Sequence, residues 1–121
     1  MKLFDSLFGK NNGLQPNGNG EPEHAVLIHF NYGLKELDAL HALEDRLRTA
    51  IDHHEVGEYD GHELALDHSD GILFIYGPNA ERLFLIVQPI LKQAAFMRGA
   101  VATLRFGPPE DEGAREIEIE I

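Results

Sequence analysis

The apolar positions of this chain recur with two different periods. Residues 24–30 are apolar on both faces of an extended chain, which predicts a central β-strand. Residues 34–53 instead carry apolar side chains at steps of three and four residues, the period of an amphipathic helix. The apolar stripe of that helix consists of Leu34, Leu37, Leu40, Leu43, Leu47 and Ile51. The pattern therefore indicates a fold that contains both strands and helices.

A β-hairpin is predicted over residues 55–76. Its arms are residues 55–67 and 72–76, and the polar residues 68–71 suit the turn between them. The Asp60-Gly61 pair interrupts the first arm, where it fits either a β-bulge or a second tight turn that splits the arm into two strands. The sequence leaves the register around this pair open.

The second half of the chain repeats the alternation of helix and strand. A second helix is predicted over residues 80–96, with Asn79 as its N-cap and a kink at Pro89. Residues 100–106 read as a strand, and residues 116–121 alternate Glu with Ile as a half-buried strand does.

The order β-α-β-β-α-β with one added strand predicts an α+β fold. We expect a ferredoxin-like sandwich in which two helices cover one face of an antiparallel sheet. The expected strand order is 4-1-3-2, with the last strand beside strand 4. The alternative is another α+β sandwich in which residues 55–67 form two strands.

Residues 1–22 differ in composition from the rest of the chain. Residues 11–22 are rich in Gly, Asn and Pro and are expected to be a flexible linker, so the predicted single domain spans residues 23–121. Residues 1–10 place four apolar side chains on one helical face between Lys2 and Lys10. These side chains are Leu3, Phe4, Leu7 and Phe8. A frayed tail is the favoured interpretation, and a docking peptide or a weak membrane-surface segment is the alternative.

Composition and charge narrow the classes of function. The chain of 121 residues has no cysteine, which excludes disulfides and thiolate metal sites. It has no apolar run of membrane-spanning length and no secretory signal pattern, so a cytoplasmic location is expected. The formal net charge of -11 disfavours nucleic acid as a partner, because phosphate backbones bind Lys and Arg. The acidic residues concentrate in 55–70 and 110–121. A solubilising surface is the favoured interpretation, and an acidic face for a basic protein partner is the alternative.

No motif of an enzyme is present, and no cofactor is expected. The sequence lacks a nucleophile elbow, a phosphate-binding loop and a dinucleotide fingerprint. His62 and His68 are weak candidates for metal ligands among the hairpin carboxylates, since no helical His-Glu-x-x-His spacing occurs. His29 and His41 form an acid–base pair only if the fold brings them together, and a packing role for each is favoured.

The central strands carry apolar residues on both faces, while the helices are expected to cover one face only. The other face therefore presents an apolar patch, and such patches are typical of partner surfaces. We expect a homodimer through this face, formed by Leu27, His29, Leu73 and Ile75. A ligand groove on this face, or cover by the N-terminal segment, is the alternative.

These patterns together predict a non-catalytic binding or regulatory module. Its binding surface is expected to combine the open sheet face with an acidic hairpin surface. The hairpin residues are Glu58, Asp60, His62, Glu63 and Asp67. The alternative is a metal-dependent or small-molecule site around the same His and Asp residues.

Three short segments resemble a small bacterial protein family with a ferredoxin-like domain and no assigned biochemistry. They are Tyr76-Gly77-Pro78-Asn79-Ala80-Glu81, Phe96-Met97-Arg98-Gly99 and Leu104-Arg105-Phe106-Gly107-Pro108-Pro109. The resemblance covers residues 55–110 and rests on structural turns. It implies a shared fold and no reaction.

Overall fold

The computed structural model describes residues 23–121, and the predicted tail and linker lie outside them. Within residues 23–121 the chain forms an α+β fold with five strands and two α-helices. The strands are β1 (His24–Asn31), β2 (Glu58–Leu64), β3 (Asp70–Gly77), β4 (Val101–Arg105) and β5 (Glu116–Glu120). The helices are α1 (Asp38–His54) and α2 (Ala80–Lys92), and a 3₁₀ turn, Ala95–Met97, follows α2.

All five strands described in residues 23–121 belong to one antiparallel sheet with the order β2-β3-β1-β4-β5. This is the strand order expected from the sequence, with β5 added beside β4. Strand β1 is central, and it pairs along its whole length with β3 and from Ala25 to His29 with β4. Because β1 has a neighbouring strand on each side, its side chains lie in the middle of both sheet faces, and most of them are apolar.

The main core combines both helices with alternate residues of the central strands. Val26 and Ile28 of β1 have no exposed surface, and they lie in one cluster with Leu47 of α1 and Leu83 of α2. Ala25 and Leu27, which alternate with them along β1, belong to a second, smaller cluster. Because successive side chains of a strand point to opposite faces, the two clusters lie on opposite sides of the sheet.

Helix α1 begins at Asp38, four residues later than the predicted start. Before it, the backbone N–H of Gly33, at φ +76°, donates to the carbonyl of His68 at 2.7 Å. This bond ties the segment after β1 to the turn between β2 and β3, and the left-handed backbone of Gly33 prevents a helix from starting there. Leu34, the first residue of the predicted apolar stripe, is accordingly 45% exposed.

The interruption at Asp60-Gly61 is a β-bulge. The register of β2 against β3 shifts between Tyr59 and Gly61, and the strand continues beyond the shift to Leu64. Residues 58–64 therefore form one strand rather than two. The turn that follows is tightened by His68, whose φ of 64° is left-handed.

Helix α2 starts as predicted, because the side chain of Asn79 accepts a 3.0 Å hydrogen bond from the backbone N–H of Arg82. The helix continues through Pro89 but ends at Lys92, earlier than expected. The chain then becomes extended at Ala94 and forms the 3₁₀ turn. This turn buries Met97 completely, and that packing ends the helix.

Candidate binding face

The face of the sheet opposite the main core is named here the open face. Register assigns its residues, since partners across adjacent strands share a face. On the three inner strands they are Ala25, Leu27 and His29 of β1, Ile72, Phe74 and Tyr76 of β3, and Val101, Thr103 and Arg105 of β4. On the two edge strands they are Glu58 and Glu63 of β2, and Glu116, Glu118 and Glu120 of β5.

The centre of the open face is apolar. Leu27 lies directly opposite Phe74, and Ala25 lies directly opposite Tyr76. Phe74, Tyr76 and Ala25 are buried, and Leu27 and Ile72 are half-buried against them. Among residues 23–121, no helix residue belongs to this cluster.

Both edges of the open face are acidic. The glutamates of β2 and β5 on this face are exposed. One of them, Glu116, accepts a 2.8 Å hydrogen bond from Nη1 of Arg105 on the neighbouring strand. The open face therefore consists of an apolar centre between two columns of negative charge, named here the acidic rims (Glu58 and Glu63 on one edge; Glu116, Glu118 and Glu120 on the other).

Acidic groups also converge at the end of the open face where Tyr76 lies. Burial raises the pKa of the Tyr76 hydroxyl above its ordinary value, and the negative charges of Asp60 and Glu23 raise it further. Burial likewise raises the pKa of Glu23, with a contribution from Glu58. Carboxylates that raise the pKa of their neighbours create a negative potential, so this corner favours a positively charged group.

Arg105 fixes the loop that borders the same end of the open face. Its Nη2 donates to the carbonyls of Pro108, Pro109 and Asp111 at 3.2, 3.4 and 2.5 Å. The planar guanidinium donates from two nitrogens in a fixed geometry, to Glu116 and to the loop carbonyls, and a single ammonium group does not offer this arrangement. The positive charge of Arg105 therefore interacts with Glu116 and with the loop carbonyls. It does not neutralise the other glutamates of the acidic rims.

A buried polar cluster lies on the other side of the sheet, between α1 and β2. Glu44 is 6% exposed, and its Oε2 accepts a 2.5 Å hydrogen bond from the Tyr59 hydroxyl. The same oxygen lies 2.7 Å from Nδ1 of His62. Arg48 stacks over the Tyr59 ring at 5.1 Å. Burial, and next the hydrogen bond to Glu44, raise the pKa of Tyr59 far above its ordinary value, so the phenol stays protonated as a donor.

Glu44, Tyr59 and His62 connect α1 to β2 through hydrogen bonds. A buried carboxylate needs donors, and Glu44 finds them on the edge strand that the bulge interrupts. The cluster therefore holds β2 against α1 and sets the position of its acidic rim.

The structure separates the five predicted hairpin residues. Glu58 and Glu63 lie on the rim of the open face, Asp60 lies in the bulge, and His62 points to Glu44 on the helix side. Asp67 lies in the turn, where its side chain accepts a 3.0 Å hydrogen bond from the backbone N–H of Ser69. Hydrogen bonds from Ser69 lower the pKa of Asp67.

The predicted placement of Leu73 and Ile75 on the open face is wrong. Both are fully buried in the main core with the helices. The antiparallel register pairs Leu27 with Phe74, so the residues of β3 that share its face are the even-numbered ones. Leu27 and His29 do lie on the open face, His29 being exposed.

The candidate histidine constellations do not assemble. His29 lies on the open face, whereas His41 belongs to α1 and lies 6.4 Å, ring to ring, from His62. His68 instead places its Nδ1 3.0 Å from the carbonyl oxygen of Leu34. Within residues 23–121, no group of three or more His, Asp or Glu side chains has an arrangement that would hold a metal ion.

Two features of the site were not predicted from the sequence. The sequence did not predict that Phe74 and Tyr76 lie on the open face. The face that each β3 residue occupies depends on the register of β3 with β1. Glu44 had a signal in the sequence, since it lies four residues after Leu40 and three before Leu47, within the apolar stripe of α1. A charged residue inside a buried stripe predicts a buried partner.

Comparison with known proteins adds no family to this picture. No family model, curated protein or solved structure matches the chain. The family resemblance of residues 55–110 therefore stays a prediction. Neither helix described in residues 23–121 has the length and apolar character needed to cross a lipid bilayer.

Proposed function

We propose that this protein is a non-catalytic binding module that holds a basic, amphipathic segment of a partner protein on its open face. The observation that carries the proposal is the layout of that face, where the apolar side chains around Leu27 and Phe74 lie between two acidic rims. Apolar surface that a partner segment contacts supplies affinity, and flanking charge selects the partner and its orientation.

The dimensions of the open face suit such a segment. Five adjacent strands place the two edges about 19 Å apart. A helix with its side chains is about 10–12 Å wide, so its lysines can extend sideways towards both rims while its apolar side contacts the centre. The partner is therefore expected to carry apolar residues on one side and Lys or Arg on both flanks.

A second copy of this chain fits the open face less well. Face-to-face pairing would bring the glutamates of two copies together, and like charges at an interface oppose association. The chain as a whole carries a formal net charge of -11, which adds to the repulsion. We therefore propose a basic partner in place of the expected homodimer, and the oligomeric state is measured alongside binding.

The fold and the cellular location are part of the proposal. We propose a ferredoxin-like fold, supported by the element order and the strand order, and a cytoplasmic location, supported by the absence of cysteine from the sequence. The alternative of a metal or small-molecule site at the hairpin has less support, because His62 already contacts Glu44 and His68 already contacts a carbonyl.

Two labelled probe peptides test the proposal. One is an amphipathic Leu/Lys helix of about 14 residues, and the other has Glu in place of each Lys; fluorescence anisotropy measures their binding to the full chain. The Lys probe should bind, and its affinity should fall as NaCl is raised from about 50 to about 300 mM. The same measurement is made on a Phe4→Asp/Phe8→Asp variant, because cover of this face by the N-terminal segment is the alternative that the sequence left open.

A matched pair of variants locates the binding surface. Leu27→Glu places a charge in the centre of the open face and should weaken binding of the Lys probe at least about tenfold. Leu66→Glu makes the same change at a side chain that is 103% exposed in the hairpin turn, and it should leave binding unchanged. Equal binding of the Lys and Glu probes, or equal effects of the two substitutions, would contradict the proposal.

A further inference from the structure

Three side chains of the open face are more buried than their strand neighbours explain. Phe74 has no exposed surface, and Tyr76 and Ala25 are 3% and 4% exposed. Their cluster within the described residues contains strand residues only, with Leu27 and Ile72 at its margin. An aromatic ring in the middle of a sheet face keeps one side in water unless another layer lies over it. Something other than α1 and α2 must therefore cover these side chains.

The sequence contains a segment with the matching chemistry. Residues 1–10 carry two leucines and two phenylalanines at helical spacing. As a helix, this segment would be about 15 Å long. The apolar centre of the open face, from Ile72 to Tyr76 along β3, is about 13 Å long. The whole segment, including its flanking lysines, is therefore about as long as the apolar centre.

The charges of the segment are also complementary to the open face. Lys2 and Lys10 flank the apolar residues, and Asp5 is the only acidic residue between them. The acidic rims and the negative corner at Tyr76 offer both lysines a favourable potential. No other segment of comparable length combines apolar residues at helical spacing with a lysine at each end.

The linker can deliver the segment to the face. Residues 11–22 join it to β1, the central strand, at the end where Tyr76 and Arg105 lie. A Gly-rich chain of this length and composition is expected to span about 17–21 Å on average, which is enough to reach any point of the open face. A tether of this length keeps the segment at an effective concentration in the millimolar range, so even a weak contact is occupied.

We infer that residues 1–10 of this chain dock on its own open face and compete there with the basic segment of a partner. The inference rests on the proposed function, because both assign the open face as a docking surface. A partner must displace the segment before it can bind. Weakening the segment therefore raises the affinity for a partner without any change in the face itself.

A single tryptophan reports on the docking. The chain contains no Trp, so Phe4→Trp places one reporter within the segment. Leu85→Trp provides an exposed reference on α2, at a side chain that is 69% exposed. In the full chain, the Phe4→Trp emission should lie at shorter wavelength than the reference, and acrylamide should quench it less.

Second substitutions show whether the open face is the docking surface. Adding Leu27→Glu to Phe4→Trp should shift the emission to that of the exposed reference. Adding Leu66→Glu should leave it unchanged. Equal exposure of Phe4→Trp and the reference would overturn the inference, and so would burial that appears only when anionic vesicles are added. Burial that grows with protein concentration, together with a dimer in sedimentation, would also overturn it, because the occupant would then come from a second copy.

The Leu/Lys probe separates this inference from the proposed function. Phe4→Asp/Phe8→Asp should raise the affinity of the full chain for the probe by about tenfold or more. The tryptophan of Phe4→Trp could be buried while the Phe4→Asp/Phe8→Asp variant fails to bind the probe. That result would contradict the proposed function and support the intramolecular docking. An exposed Phe4→Trp with tight, unchanged probe binding would remove the docking and leave the proposed function standing.

Discussion

The hydroxyl of Tyr59 donates a 2.5 Å hydrogen bond to the carboxylate of Glu44, and both residues are buried between α1 and β2. The bond joins α1, in the helix layer, to β2, at the edge of the sheet. The residues on either side of Tyr59 are Glu58, on the acidic rim, and Asp60, in the bulge. A contact inside the fold therefore sets the position of charged groups on its opposite face.

Removing this hydroxyl should destabilise the protein. Tyr59→Phe leaves the buried Glu44 carboxylate with one donor fewer, so the free energy of unfolding should fall by about 1–3 kcal/mol. Urea unfolding followed by circular dichroism measures the change. Asp45→Asn is the control on the same helix, because its side chain is 79% exposed, and it should change stability by less than about 0.5 kcal/mol. Equal effects would show that the Glu44 bond does not fasten β2.

The pH dependence of stability should include a contribution from His24. Its Nδ1 accepts a 3.0 Å hydrogen bond from the backbone N–H of Ala80 at the start of α2, and burial lowers its pKa below the ordinary 6.5. The unfolded chain therefore binds the proton more readily than the folded one. The stability that the neutral ring contributes is present above pH 6.5 and is lost as the pH falls below that value.

Thermal unfolding as a function of pH checks this expectation. His24→Asn keeps a side-chain acceptor near the Ala80 N–H but has no titrating ring, so its melting temperature should fall less steeply below pH 6.5 than that of the parent chain. His53→Asn, at an exposed position at the end of α1, is the substitution control. Parallel curves for the parent chain and His24→Asn would count against the assignment.

The approach of two backbone segments beside β2 should make Gly77 intolerant of a side chain. A Cβ at this position would lie 2.3 Å from the carbonyl oxygen of Val56. Because backbone cannot yield locally, Gly77→Ala should lower the free energy of unfolding by about 1–3 kcal/mol or more. At Gly113 the nearest atom would be 3.6 Å away, so Gly113→Ala should change stability by less than about 0.5 kcal/mol. Similar urea midpoints for the two variants would contradict this packing.

The acidic rims should govern the salt dependence of probe binding. A Glu63→Gln/Glu118→Gln/Glu120→Gln variant removes three charges from the open face and should weaken binding of the Leu/Lys probe by about threefold to tenfold at low salt. Its affinity should also vary less with NaCl concentration. The matched control, Glu36→Gln/Asp45→Asn/Glu81→Gln, removes three exposed charges that lie outside the open face. If both variants bind alike, net charge rather than the rims attracts the probe.

Hydrophobic periodicity predicted most of the secondary structure. The stripe of α1 from Leu40 to Ile51 and the alternation of β5 both reflect a local relation between side-chain spacing and burial. The errors lie at element ends, where long-range contacts compete with local preference. Helix α1 starts later than predicted because the backbone N–H of Gly33 is hydrogen-bonded to His68, more than thirty residues away.

The candidate site was harder to predict because it depends on register. A shift of one residue exchanges the two faces of a strand, so the choice between Ile75 and Phe74 for the open face required the pairing with Leu27. The bulge at Asp60 also changes which face the later residues of β2 occupy. It places Glu58 and Glu63 on one face although they lie an odd number of positions, five, apart.

The sequence by itself determined the types of element, their order and the excess of negative charge, because these follow from local spacing and from composition. Tertiary structure alone decided that the glutamates of β2 and β5 flank one apolar centre, and that Glu44 meets Tyr59 and His62. The physical reason is that hydrogen-bond pairing between distant strands fixes which side chains share a face. The spacing of residues along a single strand carries no information about its partners.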